Sequence, residues 1–79
     1  MSMKKDRGRR RSGTERLEVD IFVGENVSVA QARMAELTGI GEAKRVPGDV
    51  WSGQVGRDLA VGRALQDVAD QLLERHRHA

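Results

Sequence analysis

The chain has no cysteine, no tyrosine, a single proline and only two aromatic residues, Phe22 and Trp51. Without cysteine there is no disulfide and no thiolate, so the cross-links that hold small secreted domains together are excluded and a cytoplasmic location is expected. No apolar run approaches the ~20 residues of a spanning helix, and the charged first residues are not followed by the apolar stretch of a secretory leader. No membrane role is expected. Histidine occurs only as His76 and His78, which leaves residues 17–75 without an imidazole for proton transfer. The pair, without cysteine or converging carboxylates, reads as a solvated tail rather than a metal site. Gly53-Gln54-Val55-Gly56 follows a loop instead of a strand, lacks a third glycine and has no Lys-Ser/Thr, so it is no phosphate loop. Glu42, Asp49 and Asp58 read as surface charge, and so small a body lacks walls for a substrate pocket. The expectation is a non-catalytic protein with no cofactor, no metal and no small-molecule substrate.

What the chain does have is charge, unevenly placed. The formal net charge of +2 hides two segments of opposite sign. Residues 1–16 carry seven cations against two acids, a net of +5, and residues 17–79 carry seven against ten, a net of −3. A basic arm is joined to a mildly acidic body, and the two are separate units. Residues 1–14 hold no apolar residue beyond two methionines, so nothing offsets the entropy of ordering them, and the arm is expected to be disordered. The excess of arginine over lysine, eleven to three, fits the bias of a GC-rich bacterial genome.

The body spells out few elements. Leu17, Val19, Ile21 and Val23 alternate with Glu18, Asp20 and Phe22, which predicts a strand. Gly24-Glu25-Asn26 predicts a turn. Residues 27–37 keep a period of two through Ala30, Ala32 and Met34 and are expected to form a second strand. Thr38-Gly39 is expected to be the next turn, with a third strand over residues 40–46 ended by Pro47-Gly48-Asp49. From about Arg57 to Arg75, Val61, Ala64, Leu65, Val68 and Leu72 recur at helical spacing, with Arg63, Asp67, Asp70 and Glu74 expected on the opposite face. Asp58 in the first turn and Arg75 in the last would suit the helix dipole. Gly62 would owe its place to close packing on the sheet. Val19 and Ile21 are expected to meet Val61, Leu65, Val68 and Leu72 in one core. The fold class is α+β: a three-stranded antiparallel sheet followed by one amphipathic C-terminal helix on one of its faces, the other face left open.

The run from Thr38-Gly39-Ile40-Gly41-Glu42-Ala43-Lys44-Arg45 through Pro47 and Asp49, with the helix Gly56-Arg57-Asp58-Leu59-Ala60-Val61-Gly62-Arg63-Ala64-Leu65-Gln66-Asp67-Val68-Ala69, resembles the small actinobacterial dsRBD-fold-containing proteins. The likeness covers residues 17–73 and is most specific in the helix. It implies a sheet and helix like part of a double-stranded-RNA-binding domain, and no defined activity. The residues themselves argue against RNA contact by the body. The first loop is short and acidic, no lysine cluster opens the helix, and no segment before Leu17 has a helical pattern.

Two functional readings follow. Lys4, Lys5, Arg7, Arg9, Arg10 and Arg11 would bind DNA or RNA through phosphates without regard to sequence, since the arm has no aromatic residue to stack on bases. Alternatively the arm is incidental, a solubilising tail, and the body is a protein-interaction or self-association module; separately, Arg9-Arg10-Arg11-Ser12 resembles a basophilic kinase site, where phosphate would offset the arm's charge. For that second reading the candidate contact residues are Phe22, expected on the bare face of the sheet, and Trp51, which either lids the core or anchors a partner. Exposed strand edges and a bare face make a homodimer the expected solution for so small a body.

Overall fold

The computed structural model describes residues 13–48 and 50–77. The element order is β1 (Glu18–Val23), β2 (Val27–Met34), β3 (Leu37–Lys44) and α1 (Gly53–Arg75). The strands lie in the order β1-β2-β3 with both pairings antiparallel, and α1 packs across β2 and β3. The expected α+β arrangement of three strands and one C-terminal helix is therefore the observed one. The arm residues Lys4 to Arg11, like Asp49 and His78, lie outside the described residues.

The first turn forms where the sequence placed it: Gly24 N–H donates to the Val27 carbonyl at 2.8 Å around Glu25-Asn26. The second does not. The chain reverses at Ala35-Glu36, Met34 faces Leu37, and β3 runs from Leu37 to Lys44, so the expected turn at Thr38-Gly39 lies inside a strand. Ala35 takes a φ of 53°, a left-handed conformation that costs an alanine about 1–2 kcal/mol and that no glycine or asparagine advertises here. The glycines sit inside β3 because the helix needs the space. A Cβ on Gly41 would strike the carbonyl of Ala60 and the nitrogen of Ala64; one on Gly39 would meet the carbonyl of Ala64 and lie 2.7 Å from Val68 Cγ2.

The core is accordingly built of small residues. Ala30, Ala32, Ala43, Ala60, Ala64 and Val68 are its buried centre, so the expected stripe is displaced by part of a turn. Val61, Leu65 and Leu72 pack on its flank with Val19. Ile21, which was expected beside them, is 43% exposed, because α1 lies over β2 and β3 and leaves β1 at its margin.

The helix begins four residues earlier than its apolar period suggested. Ser52 is the N-cap, its Oγ accepting from Val55 N–H at 3.2 Å. Asp58 consequently falls in the second turn and the first turn holds no acid, whereas Arg75 does occupy the last. Gly62 does not pack on the sheet: a Cβ there would meet nothing within 4 Å. Arg63 and Asp67, expected to face away from the sheet, instead reach the rim of β3.

Candidate functional site

The two edges of this sheet are finished differently. In β3 the backbone groups of Thr38, Ile40 and Glu42 point away from β2, and α1 satisfies one from each residue. Arg63 Nη1 donates to the Glu42 carbonyl at 2.8 Å, Ile40 N–H donates to Asp67 Oδ2 at 3.0 Å, and Gln71 Nε2 donates to the Thr38 carbonyl at 2.7 Å. The series continues at the same four-residue spacing with Arg75, which pairs with the Glu36 carboxylate in the turn. The Glu36 carboxyl is held below the usual carboxylate range, first by a hydrogen bond to its own backbone and then by Arg75. A polar line down one flank of the helix thus seals the edge of β3 against further strands.

At β1 nothing corresponds. The Gly24–Val27 bond sets the phase of the antiparallel ladder, so Glu18, Asp20 and Phe22 turn their backbone groups toward β2 while Val19, Ile21 and Val23 turn theirs outward. Among the described residues no side chain bonds those outward groups. Leu17 and Val23 flank the edge, 46% and 47% exposed, on the same side of the sheet as Ile21. This free edge, bordered by exposed apolar side chains, is the candidate site.

On the open face of the sheet Phe22 lies opposite Val29 and is 63% exposed, as its position in the alternation implied. Ile40 sits diagonally across on β3. Polar residues interrupt the patch. Arg33 on β2 bridges two acids of β1, Asp20 at 2.5 Å and Glu18 at 3.2 Å, and those hydrogen bonds, Asp20's foremost, hold its guanidinium more firmly in the charged form. Trp51 is half-buried against the core, above Gly56, and its indole N–H donates to the Glu25 carbonyl at 3.1 Å. It ties the loop before α1 to the β1–β2 turn. Phe22 and Trp51 are thus on separate surfaces and do not form one site.

A groove of about 450 Å³ lies between Leu37, Asp70, Gln71, Glu74 and Arg75; it is open to solvent, and its lining holds no hydroxyl, thiol or imidazole. Among the described residues no three histidines or carboxylates converge as metal ligands, and no helix is long and apolar enough to cross a membrane. The sequence implied exposed strand edges but not that one of them is sealed by the helix and the other left free. The one signal of that difference was the spacing of Arg63, Asp67, Gln71 and Arg75, each beside the buried line of Ala60, Ala64 and Val68 instead of opposite it.

The family model described as Rv2632c-like matches residues 16–79. Three chains of solved structure match. One of them, titled "Crystal Structure of Rv2632c", is a mycobacterial protein 30% identical to this chain, with a TM-score of 0.73 over 87% of each. The sequence matches no curated protein. The actinobacterial kinship expected from the helix and the end of β3 is found; the likeness to an RNA-binding domain is no part of the description that matches.

Proposed function

This chain belongs to the Rv2632c-like family, and we propose that it is a non-catalytic interaction module that takes up an extended strand at the edge of β1. The observation that supports this is the inequality of the two edges: one sealed by three helix side chains, with Arg75 on the adjoining turn, the other left with outward backbone groups and apolar neighbours. Strand addition draws affinity from main-chain hydrogen bonds and selectivity from alternate side chains. Here the alternate positions on the helix side are Leu17, Val19, Ile21 and Val23, so the strand it takes is apolar on one side. The cysteine-free composition supports a cytoplasmic setting.

Amide hydrogen exchange tests this on the full chain at submicromolar concentration. The Val19 and Ile21 amides should exchange fast and the Ile40 amide, bonded to Asp67, slowly. A large excess of a nine-residue peptide alternating valine and threonine should slow Val19 and Ile21 and leave Ile40 unchanged. Outward β1 amides that are already protected in the dilute chain, or that stay fast at millimolar peptide, would refute the proposal.

A second reading attaches to the arm and is independent of the first. Six cations between Lys4 and Arg11 support sequence-independent contact with DNA or RNA. The likeness to a double-stranded-RNA-binding domain lends the body no share in it: the β1–β2 loop is Gly24-Glu25-Asn26 and α1 opens with Gly53-Gln54-Val55-Gly56. Electrophoretic shift of duplex DNA should need residues 1–15. The logarithm of the binding constant should fall against log salt with a slope near −5, from about −0.9 per phosphate contact, and replacing Arg9, Arg10 and Arg11 by alanine should lower that slope by about three. Equal binding by a chain starting at Arg16 would remove this reading.

A further inference from the structure

We infer that the strand taken up by β1 is β1 of a second copy, antiparallel about a two-fold axis through Ile21, so that two sheets join into one of six strands. This rests on the open-edge reading above and names its occupant. Because β3 is sealed, the free edge of one copy has only the free edge of another to meet, and the contact closes as an isologous dimer instead of running on into a fibre. The sequence of residues 1–14 has no alternation of apolar residues to match that of β1.

The register follows from charge and ladder phase. The outward groups belong to odd-numbered residues, so odd must face odd. An axis through Asp20 sets Asp20 against the second copy's Asp20 in a close, non-hydrogen-bonded pair with Cα atoms about 4.5 Å apart. Like charges there are repelled. An axis through Phe22 or Val19 shortens the overlap of the two six-residue strands to three residues. An axis through Ile21 keeps five, sets Ile21 against Ile21 and Val19 against Val23, and places Asp20 opposite Phe22. The exposed Ile21 and Val23 side chains are then covered on the helix side, and Arg16 comes within one residue of the second copy's Glu25.

The absence of cysteine makes the test direct, because any thiol introduced is the only one. In a hydrogen-bonded antiparallel pair the Cα atoms are about 5.5 Å apart, too wide at Cβ for an unstrained disulfide and within reach of a short bifunctional thiol reagent. With the full chain at tens of micromolar, sedimentation should show a species of twice 8.7 kDa. A short bifunctional thiol reagent should cross-link Ile21→Cys nearly completely and Val19→Cys at most a tenth as much. Ile21→Pro removes an outward N–H and part of the side chain but no ladder bond to β2, which an edge strand tolerates; it should weaken association at least tenfold while the far-ultraviolet dichroism is kept. Ile40→Lys, on the open face, should leave association unchanged. A dimer that survives Ile21→Pro but dissolves with Ile40→Lys overturns the inference in favour of stacked open faces. Cross-linking stronger at Val19 than at Ile21 overturns the register. A single 8.7 kDa species up to ~100 µM overturns the second copy as occupant. In that last case amide exchange separates the two claims: fast exchange at Val19 and Ile21 leaves the open-edge reading standing, and slow exchange removes both.

Discussion

Replacing Gly62 by alanine should make this protein more stable, by an amount fixed by two observations. Gly62 lies in the interior of the 23-residue helix Gly53–Arg75, far from either cap. Around it there is open space, with nothing within 4 Å of where a Cβ would sit. Alanine therefore gains the helix propensity that glycine forfeits, about 0.8–1.0 kcal/mol, and pays no steric cost. In a domain of 60 to 100 residues a gain of about 1 kcal/mol raises the melting temperature by roughly 4–8 °C. Thermal unfolding followed by the dichroism of the helix measures it, and the scan should be repeated at two protein concentrations tenfold apart so that association is separated from intrinsic stability. Gly41→Ala is the matched control, since the same methyl there meets backbone. An unchanged or lowered melting temperature for Gly62→Ala would show that the outer face of α1 is not open and that something approaches Gly62 closely, against the geometry argued above.

The control is itself an expectation: Gly41→Ala should cost about 3 kcal/mol, because the atoms in the way are a carbonyl and an amide nitrogen of α1 and cannot move aside as a side chain would; chemical denaturation measures it. Ser28→Ala should be neutral or stabilising by up to about 1 kcal/mol in the same assay, since the Ser28 hydroxyl is fully buried without a hydrogen-bond partner and its removal leaves no donor or acceptor stranded. Ala35→Gly should add about 1 kcal/mol, the relief of the left-handed strain less the entropy that glycine adds to the unfolded chain. Arg75→Gln should move the Glu36 carboxyl partway back toward its ordinary value, the backbone hydrogen bond remaining as the larger cause. Because that carboxyl is lowered in the folded chain, its support is present above the ordinary carboxylate range and fades as pH falls through the lowered value. The variant should therefore lose part of its advantage at neutral pH over acid pH, read by carboxyl-carbon titration and by melts across pH 2–7.

The parts of the fold that could be read from sequence were those written in a single period. The alternation of β1, the Gly24-Glu25-Asn26 turn and the apolar spacing of α1 each state their geometry locally. The Ala35-Glu36 turn could not be read, because its strain is carried by an alanine and is offset by pairing along the eight residues of each of β2 and β3. Gly39 is the complementary case: it looks like a turn residue, and it is a strand residue whose missing side chain admits the helix. The core was placed on the larger residues of the helix, since burial is usually ranked by size, yet the closest approach of helix and sheet selects Ala60 and Ala64 and leaves Leu65 on the flank. Exposed edges were expected, but which edge is free and which is sealed was hidden for a different reason. Which backbone groups face outward depends on the register of β2 with both neighbours, and no stretch of sequence states that alone.

The seal on β3 also behaves as a ruler with two unequal scales. Four residues of α-helix advance about 6.0 Å, whereas two residues of strand advance about 6.8 Å, so each successive rung of Arg63, Asp67, Gln71 and Arg75 falls about 0.8 Å further behind its mark on β3. Side chains absorb the first slips, and the contacts with Glu42, Ile40 and Thr38 all reach backbone. By the fourth rung the lag is about 2.4 Å, and there the pairing passes from main chain to the Glu36 carboxylate. A straight helix can therefore close only a short strand in this way. Lengthening both elements together would open the far end of the edge, which sets a ceiling on how large this fold can grow before it must bend its helix or recruit another strand.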